Sequence, residues 1–532
     1  MRIWNGWGDD TVRMDLPPHA KDLLNDLVGE GTPRRDFPLE RILSRIPSSR
    51  IPDHRLVSKD PRQRLVHSHG QGLPDWIALR YGTLNRFLDG VAFPDTAEEV
   101  HSLLGLARDQ DLIVIPYGGG TSVVGHLDMP QDDRPVLSIS LERLNRMVSI
   151  DPYNMLATFE AGIRGPGLEA DLRDHRFTLG HYPQSFEYST LGGWIVTRSS
   201  GQQSPHYGRI ENLFAGGEIL TPRGILNCPP FPASAAGPDL RQLVLGSEGR
   251  LGIVVKAIVR ISRLPERDDV WSVFFPSWEC AIEAVRSLAT SDIPYSMIRL
   301  SNPTETRTNF TLAGRERGVN LLKQYLRFRN IRGLKGCMCL VGFIGSSRQV
   351  AAARASAFSI FRRNRGVSLG KPIGRAWKKG RFTVPYLRNT LWDMGYGLDT
   401  LETAVTWDSV TATMQEIERA INEGLAPWDE KVHVFSHLSH VYPTGSSIYT
   451  TFLFRLAEDA EEMMDRWRAI KDSASRTIVR AGGTISHQHG VGLDHLPYLG
   501  AEKGRVGIGL LKDAFAHIDP EKRMNPGKLV PE

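Results

Sequence analysis

Two histidines near the end of the chain, His487 and His489 in the segment SHQHGVG, are separated by a single residue. Side chains two positions apart on an extended strand point to the same side, so both rings could face one cleft. Histidine titrates close to neutral pH and is the usual side chain for moving protons in catalysis. The pair predicts an acid–base site, with the alternative that both rings only cap a loop beside Gly490.

The segment IPYGGGTSVVGH, residues 115–126, is the most glycine-dense part of the chain. Successive glycines followed by hydroxyl-bearing residues can form a concave nest of backbone N–H groups that binds an anion. The two familiar phosphate motifs do not fit. Val123 stands where the dinucleotide fingerprint needs its third glycine, and His126 stands where the P-loop needs lysine. For this loop alone, a tight turn without a ligand remains the alternative.

Two further glycine-containing segments lie in the same part of the chain. Residues 183–213 contain a Gly-Gly pair among hydroxyl-bearing residues, and residues 246–261 contain three glycines spaced by three before an alternating apolar strand. Glycine lets the backbone approach another group closely because it has no Cβ atom. Three such loops in one domain predict a single long groove for a large anionic cofactor.

The composition of the chain is that of an ordinary globular protein. It has 532 residues, of which 41% are hydrophobic and 23% charged, with a formal net charge of +5. This length predicts two or three domains, and the small basic excess does not indicate a nucleic-acid partner. Four scattered cysteines do not suggest a disulfide framework. Cys337 and Cys339, alternate residues of a predicted strand, are expected to share a face and be buried.

We expect a cytoplasmic protein. The N-terminal residues lack the apolar core of a signal peptide, no run approaches the roughly 20 apolar residues that span a bilayer, and KLVPE is not a peroxisomal signal. The basic stretches 361–366 and 374–382 predict a solvated face. Alternatively, Trp377 and Phe382 in the second stretch could rest on an anionic membrane surface, which gives a peripheral membrane contact.

The loops and histidines must be positioned by helices and strands, and their pattern predicts an α+β fold. Residues 1–80 predict an irregular, partly helical leader, and residues 81–265 alternate amphipathic helices with short strands. From 266 to 480, strand–helix pairs recur and predict an antiparallel sheet with helices on one side. Residues 481–532 form a separate C-terminal segment that carries the histidine pair.

The three glycine loops also carry a family resemblance. PYGGGTS, QSFEYSTLGGW and GSEGRLGI follow one another in the order that is typical of vanillyl-alcohol-oxidase-type flavoproteins. The resemblance implies a two-subdomain FAD-binding domain of the vanillyl-alcohol-oxidase/PCMH type (PCMH, p-cresol methylhydroxylase) at residues 81–265. It also implies an α+β antiparallel-sheet cap domain for the substrate at residues 266–480. Residues 481–532 would then pack back on the flavin as an active-site segment.

Further segments resemble the branch of this family that forms the ether bond of ether lipids. They are WNGWG at 4–8, MIRL at 297–300, SSIYTTF at 446–452 and GGTISHQHGVG at 482–492. The resemblance implies an alkyl-transferring synthase that replaces the acyl group of 1-acyl-dihydroxyacetone phosphate with a fatty alcohol and releases a fatty acid. The reaction would run through an adduct at flavin N5 without net redox change. Its partners would be these lipid substrates and, as a further expectation, a second copy in a homodimer.

The resemblance implies a non-covalently bound FAD whose pyrophosphate lies over the glycine loop. The FAD contacts that it implies are Pro116, Tyr117, Gly118, Gly119, Gly120, Thr121, Ser122, Gln184, Ser185, Phe186, Glu187, Tyr188, Ser189, Thr190, Val196, Thr197, Arg198, Ser199, Glu248, Gly249, Arg250, Leu251, Gly252, Ile253 and Val254.

The same resemblance implies catalytic roles for three side chains. Tyr449 matches a family tyrosine proposed to deprotonate the substrate, and His487 and His489 match the outer two of three consecutive family histidines. Gln488 stands at the middle position, where the family has histidine. Without the resemblance, a strand tyrosine such as Tyr449 would be interpreted as part of the core.

Two arginines match positions that the family places near the flavin and the substrate phosphate. They are Arg299 in MIRL and Arg388 in PYLRNTLWDMG. A planar guanidinium pairs with phosphate oxygens through two parallel hydrogen bonds, so arginine suits this role.

His437 and His440 leave a metal pair open as an alternative, because related flavin 2-hydroxyacid dehydrogenases hold a metal with histidine and glutamate. Those enzymes have a glutamate where this chain has Gln488, so we predict no metal. Two other functions remain open. One is an FAD-dependent oxidoreductase of the same fold that oxidises a 2-hydroxy acid or a related alcohol, and the other is a catalytically silent lipid- or flavin-binding protein.

Overall fold

The computed structural model describes residues 2–312, 317–329, 331 and 335–531. The predicted leader, cap and C-terminal segments also include Met1, residues 313–316, 330 and 332–334, and Glu532, which lie outside the described residues. In the part of the chain that is described, no helix is long and apolar enough to cross a membrane.

The helices, numbered in chain order, are α1 (His19–Val28), α2 (Leu39–Leu43), α3 (Pro61–Val66), α4 (Leu73–Tyr81), α5 (Ala97–Asp109), α6 (Gly165–Asp174), α7 (Leu191–Thr197), α8 (Ser204–Tyr207), α9 (Ile210–Leu213), α10 (Arg241–Val244), α11 (Trp278–Ala289), α12 (Pro303–Leu312), α13 (Arg317–Phe328), α14 (Ser347–Arg363), α15 (Pro372–Gly380), α16 (Leu387–Asp393), α17 (Val410–Leu425), α18 (Ala460–Arg480) and α19 (Leu499–Ile518).

The strands are β1 (Val57–Ser58), β2 (Gly90–Ala92), β3 (Ile113–Tyr117), β4 (Val136–Ser140), β5 (Met147–Asp151), β6 (Leu156–Glu160), β7 (Phe177–Thr178), β8 (Phe214–Thr221), β9 (Gly224–Cys228), β10 (Ile253–Arg260), β11 (Ser262–Arg263), β12 (Arg267–Phe275), β13 (Met297–Ser301), β14 (Cys337–Gly345), β15 (Val367–Gly370), β16 (Tyr396–Thr406), β17 (Val432–Leu438), β18 (Val441–Tyr442) and β19 (Gly445–Arg455).

A small sheet with the order β1-β2-β4-β3 precedes and positions the glycine loop. Strands β2, β4 and β3 run parallel, and β1, from the predicted leader, pairs antiparallel with β2. β3 has the sequence IVIPY and is almost entirely buried, as expected for a parallel strand covered on both faces. It ends at Tyr117, so Gly118 begins the loop at the carboxyl edge of this sheet.

A second, antiparallel sheet with the order β5-β6-β10-β8-β9 forms the other half of this domain. Its core includes the fully buried Phe159 and Phe214, packed with apolar residues of α5, α6 and α7. Helix α7 begins after Thr190, whose Oγ1 accepts a hydrogen bond from the N–H of Gly193. The Gly-Gly pair of the second loop therefore lies in the first turn of a capped helix.

The cap sheet contains eight strands in the described residues, in the order β15-β12-β14-β13-β17-β19-β16, with β18 paired to β19. Every recorded pairing in it is antiparallel, as predicted. On one face, Trp271 and Phe275 of β12 pack with apolar residues of α11 and α14. Cys337 and Cys339 of β14 belong to this same buried cluster and form no disulfide, which confirms their prediction.

The prediction that helices cover one side of this sheet is wrong. The opposite face of β12 packs against other helices, with Phe274 contacting Phe310 of α12 and Val270 lying beside Trp377 of α15. The sequence VWSVFF is buried continuously, and a strand without alternation needs cover on both faces. Phe382, which with Trp377 was the alternative membrane contact, is also packed, because its ring stacks on Phe186 of the FAD-binding domain.

Candidate active site

The glycine loop lies directly against the second predicted loop. A Cβ atom at Gly118 would collide with Thr190 Oγ1, and one at Gly119 would collide with the backbone carbonyl of Tyr188. None of the hydrogen bonds among the described residues uses the N–H groups of residues 118–122 as donors. These N–H groups therefore remain available to an anion, which is the property that a pyrophosphate site requires.

The third loop closes on the other two. The N–H of Gly246 donates to the carbonyl of Ile195 over 3.2 Å, and the N–H of Glu248 donates to the carbonyl of Val196 over 2.9 Å. A Cβ atom at Gly249 would lie 3.2 Å from Pro116 in the first loop. The structure thus brings together the three glycine loops that the sequence predicts to line one groove.

Within the stretch 184–190, the predicted FAD contacts divide into two groups. Ser189 and Thr190 lie beside the glycine loop and α7. Gln184 instead donates to the backbone carbonyl of Arg381, and Phe186 stacks on Phe382 with ring centroids 4.9 Å apart. These last two side chains contact the cap domain.

Two other predicted FAD residues use their side chains elsewhere. Arg198 ends α7 in a left-handed conformation and donates to Gln242 Oε1 over 3.3 Å. Arg250 donates to the carbonyl of Met524 over 3.2 Å and lies over the ring of Phe515. Arg250 therefore holds the C-terminal residues against the third loop.

The carboxylate of Glu248 also binds the chain itself. Its two oxygens accept the N–H groups of Val491 over 2.6 Å and Gly492 over 2.9 Å, and Oε2 lies 3.1 Å from His126 Nε2. On its other side, the His126 ring contacts Ser122 Oγ through Nδ1 at 2.8 Å. Glu248 thus links the glycine loop to the segment that follows the histidine pair.

The cap sheet presents a row of polar side chains on one face. In its register, Ser301 of β13 lies opposite His437 of β17, His437 opposite Tyr449 of β19, and Tyr449 opposite Glu402 of β16. Directly opposed residues of antiparallel strands point to the same face, and Arg299, two positions before Ser301, shares it. Four neighbouring strands therefore supply one continuous polar row.

At one end of this row, Arg299 and His437 share a carboxylate. Arg299 Nη2 donates to Glu305 Oε1 over 2.6 Å, and His437 Nδ1 lies 3.2 Å from the same oxygen. Burial alone would raise the pKa of Glu305, but Arg299 and His437 outweigh it and lower that pKa to about 2. Glu305 is therefore ionised, and it fixes the direction of the Arg299 guanidinium.

Tyr449 lies in the middle of the row. Its hydroxyl donates to Thr400 Oγ1 over 3.1 Å, and its ring stacks on His437 with centroids 5.0 Å apart. On the other side, the His489 ring meets it edge-on at 6.0 Å. Burial raises the pKa of Tyr449 to about 12, so its hydroxyl is protonated near neutral pH.

His487 and His489 converge, although their segment is irregular rather than the strand that the prediction assumed. The Nδ1 atoms of the two rings each lie 3.9 Å from a different oxygen of Glu402. Burial, followed by the nearby Lys471, lowers the pKa of His489 to about 4, and burial lowers the pKa of His487 well below its ordinary value. Both rings are therefore neutral near pH 7.

His487 Nε2, on the edge of the ring away from Glu402, has two hydrogen-bonding neighbours. Arg209 Nη1 donates to His487 Nε2 over 2.9 Å, and the hydroxyl of Tyr442 lies 2.6 Å from the same nitrogen. Arg209 and Tyr442 also line a cleft of about 500 Å³ between residues 204–212 and the cap domain. His487 is thus fixed between solvent-facing groups and Glu402.

Arg388 is half-buried and only partly paired. Its Nη1 donates to the carbonyl of Gln71 over 2.7 Å, and its guanidinium lies over the ring of Trp76. Its Nη2 is buried without a hydrogen-bond partner in the described chain. Burial lowers the pKa of Arg388, while Asp399 and Tyr449 act in the opposite direction. An unsatisfied cationic nitrogen near Tyr449 suits a phosphate ligand.

The two histidines considered as a metal pair have separate protein partners. His437 faces Glu305, whereas His440 Nε2 contacts the carbonyl of Gly201 at 3.1 Å and its ring lies against His487. Across the described residues, no group of three or more His, Cys, Asp or Glu side chains is arranged to hold a metal ion.

Four site residues were missed by sequence reasoning, namely Glu305, Glu402, Arg209 and Tyr442. Glu402 had a usable signal, since it is a carboxyl group inside a mostly buried strand, and such groups need a partner or a function. The other three lie in polar segments, where nothing distinguishes them from surface residues.

The comparisons with known proteins first define the class. The family described as FAD binding domain matches residues 88–228, and the family described as FAD linked oxidases, C-terminal domain, matches residues 264–529. A solved p-cresol methylhydroxylase superposes with a TM-score of 0.67 at 14% identity, covering 89% of this chain and 93% of that one. The predicted α+β fold, an FAD-binding domain with an antiparallel-sheet cap, is confirmed, and FAD is the cofactor.

Similarity to individual proteins identifies the family within this class of FAD-binding proteins. The chain is 30% identical to alkyldihydroxyacetonephosphate synthase of Dictyostelium discoideum, over 99% of this chain and 93% of the relative. It is 29% identical to the synthase of Trypanosoma brucei brucei, over 99% and 92%. A solved alkyldihydroxyacetonephosphate synthase superposes with a TM-score of 0.84 at 27% identity, covering 99% of this chain and 98% of that one. The chain belongs to the alkyldihydroxyacetonephosphate synthase family of FAD-linked flavoproteins.

Proposed function

We propose that this chain replaces the acyl group of 1-acyl-dihydroxyacetone phosphate with a long-chain fatty alcohol, giving alkyl-dihydroxyacetone phosphate and a fatty acid. The observation that carries the proposal is the polar row on the cap sheet. In this row, Tyr449 is a protonated phenol and Arg299 a phosphate-binding group, and two groups from outside the sheet complete them, the neutral imidazole of His489 and the guanidinium of Arg388. The near full-length similarity to synthases of this name supports the same conclusion.

The residues that would hold FAD fit a dinucleotide. The free N–H groups of residues 118–122 would bind its pyrophosphate, and the loops at 188–190 and 246–252 would flank it. We propose non-covalent attachment, because residues 116–122 contain no histidine or cysteine, and His181 Nε2 contacts Ser199 Oγ at 2.7 Å. Bound in its reduced form, FAD would supply a nucleophilic N5 atom for an exchange without net redox change.

The side chains of the row would bind and orient the substrate and move its protons. Arg388, with one unsatisfied nitrogen, would bind the phosphate group, and Arg299, held by Glu305, would complete this anion site. Tyr449 begins with its proton in place, so it must pass this proton to a neighbour before it can accept one from the substrate. Neutral His489, edge-on to the phenol, is a suitable acceptor.

The test is a product assay on the reduced holoenzyme. We expect palmitoyl-dihydroxyacetone phosphate and hexadecanol to give free palmitate and the ether product, both detected by mass spectrometry. Tyr449→Phe and His489→Ala should each lower the rate by about 100-fold or more, the range typical of general acid–base groups. Tyr153→Phe is the control, because Tyr153 is 95% exposed and should change nothing.

The competing function would give a different result. If neither product forms, and a 2-hydroxy acid bleaches the flavin under anaerobic conditions, the protein is an oxidoreductase of the same fold. Binding of the lipid substrates without either reaction would instead identify a silent lipid- or flavin-binding protein.

We also propose that the protein is cytoplasmic, contacts membranes peripherally and forms a homodimer. Helix α13 offers the better membrane contact, because Leu321, Tyr325 and Phe328 are exposed at i, i+4 and i+7. Sedimentation with anionic vesicles should recover the wild-type protein, and Phe328→Glu should reduce that recovery.

The homodimer is tested by light scattering, which measures the molar mass of the purified protein in solution. A monomeric mass would exclude the dimer.

A further inference from the structure

We propose that Glu402 is the positioning residue of the acid–base site: its carboxylate holds the Nδ1–H groups of His487 and His489. This would make His489 the base that takes the hydroxyl proton of the incoming alcohol. The proposal rests on the proposed synthase function, because it assigns the acceptor of a proton that this exchange releases.

Glu402 occupies a buried position between the two histidine rings. It lies opposite Tyr449 in the sheet, and its side chain has no solvent-accessible surface. Its two oxygens diverge towards two different imidazoles, each at 3.9 Å, about 1 Å beyond a hydrogen bond. Catalytic contacts are often long before the ligands bind and tighten in the complex.

The tautomer of His487 is decided by its contact with Arg209. Arg209 can only donate, so His487 Nε2 must be the acceptor of its N–H and cannot carry a proton. The ring proton of neutral His487 is therefore on Nδ1, the atom that faces Glu402. This N–H faces Glu402 Oε2 at 3.9 Å, and the ring cannot turn away without breaking the contacts to Arg209 and Tyr442. The orientation of His487 therefore directs an N–H donor at the carboxylate.

Accessibility identifies the reactive ring. His489 keeps 18% of its side chain accessible, His487 keeps 3%, and Glu402 keeps none. Of these three side chains, His489 is therefore the one that can touch a substrate. With its Nδ1–H directed at Glu402, its Nε2 would carry the lone pair that accepts a proton, and the carboxylate would stabilise the resulting imidazolium.

The exchange balances with this assignment. The bond between the acyl oxygen and the substrate carbon breaks, and the carboxylate leaves with the electron pair. The proton that His489 took from Tyr449 leaves with this carboxylate, so the ring is neutral again when the alcohol arrives. The alcohol oxygen forms the new bond to that carbon and loses its proton to His489 Nε2. His489 then passes this proton to Tyr449, which has given the substrate carbon its own proton back. No oxidant or reductant is consumed.

The titration of Glu402 supports a change in state within the working pH range. Burial raises its pKa from the ordinary 4.5 to about 8, against the opposing effects of Gln488, Arg209 and the His489 N–H. The proposed base needs the ionised carboxylate, so activity should rise with pH through this range. The charged and titratable groups around Glu402, His487 and His489 include Arg209, Lys471, Asp399, Tyr442, Tyr449, His126, His440 and His495.

The experiment compares Glu402→Gln and Glu402→Asp with Glu418→Gln in the holoenzyme. Glu418 is the matched control, because burial raises its pKa too and, among the described residues, its carboxylate accepts hydrogen bonds from Ser436 and Asn302. We expect Glu402→Gln to lower kcat at least 100-fold and to remove the rise with pH, with KM nearly unchanged. Glu402→Asp should restore part of kcat, and Glu418→Gln should keep the wild-type profile.

Infrared spectroscopy gives a readout that does not depend on turnover. We expect a carboxyl C=O band that titrates near pH 8 in wild-type holoenzyme and in Glu418→Gln, and this band should be absent from Glu402→Gln. Ether formation by Glu402→Gln with an unchanged pH profile would overturn the proposal while leaving the synthase function intact. A titrating band without any ether product would instead overturn the synthase function.

Discussion

At the residue scale, the site depends on titratable side chains that are held in unusual states by burial. Glu305 is ionised because Arg299 and His437 face it, whereas at Glu402 burial outweighs the opposing effects of Gln488 and Arg209 and raises the pKa. The two carboxyl groups lie at opposite ends of one polar row, so their different surroundings separate an anion-binding end from a proton-transferring end.

Glu402 should make the stability of the FAD-free protein depend on pH. Its pKa is about 8 in the folded chain against 4.5 ordinarily, so the folded state retains a proton that the unfolded state releases. The stabilisation is complete below pH 4.5 and is lost as pH rises through 8, by up to about 1.4 kcal/mol per pH unit. In urea unfolding between pH 5 and pH 9, wild type should lose stability relative to Glu402→Gln. Parallel curves would contradict this expectation.

Glu248 should control the order of the segment that follows the histidine pair. Glu248→Gln keeps one acceptor oxygen and loses the other, so either Val491 or Gly492 loses its hydrogen bond, at a cost of about 1–3 kcal/mol. Hydrogen exchange at one of these two amides should accelerate at least 10-fold. The control is Glu218→Gln, which removes a surface ion pair with Lys256 and should leave both amides protected.

At the scale of elements, the cofactor groove depends on how closely three loops approach one another. The glycine loop follows strand β3 and contacts the segment at the start of α7. The turn before β10 contacts both of these segments. The glycines are required because backbone atoms of one loop occupy the space that a Cβ atom would need in the next.

Gly119→Ala tests this packing directly. Its methyl group would meet the backbone carbonyl of Tyr188, which cannot rotate away like a flexible side chain, so the loops must separate. We expect the affinity for FAD to fall at least 10-fold, measured by flavin fluorescence. Gly105→Ala is the matched control, because nothing lies within 4 Å of its added Cβ atom in α5. It should gain about 0.5–1 kcal/mol of stability and bind FAD normally.

At the scale of the whole molecule, the N-terminal residues connect the two domains. Arg2 donates to the hydroxyl of Tyr117 over 2.8 Å and to the carbonyl of Gly119 over 3.0 Å. Five residues later, the backbone N–H and C=O of Trp7 each bond the side chain of Asn389 in the cap domain over 2.9 Å. The segment thus joins the glycine loop to the helix that carries Arg388.

Asn389→Ala should remove the contact between the N-terminal segment and the cap domain. Both backbone groups of Trp7 would lose their partners, at a cost of about 2–4 kcal/mol in the free energy of unfolding. The urea midpoint should fall, and FAD should dissociate faster because the glycine loop loses its support. Asn422→Ala, on the exposed surface of α17, should change stability by less than about 0.5 kcal/mol. Equal effects of the two variants would exclude a specific connection.

The local elements followed from the sequence because their causes are local. Alternating apolar residues predicted β19, and helical periodicity predicted α17, whose Val410, Met414, Ile417 and Ile421 are all buried. The sheet face covered by α12, α13 and α15 was not predicted, because periodicity within β12 cannot tell which helices will cover a strand that is buried on both sides. The assignments of site residues and domain boundaries remain predictions.

The sequence by itself determined the cofactor class, through three glycine loops whose backbone conformations permit few other residues. Through the family resemblance it also predicted proton-transfer roles for Tyr449, His487 and His489, and these roles remain predictions. Only the tertiary structure decided that Glu402 joins them, since its position depends on the register of β16 against β19. A shift by one residue would turn Glu402 to the opposite face. That register is a long-range property of the packed sheet, and no local sequence pattern encodes it.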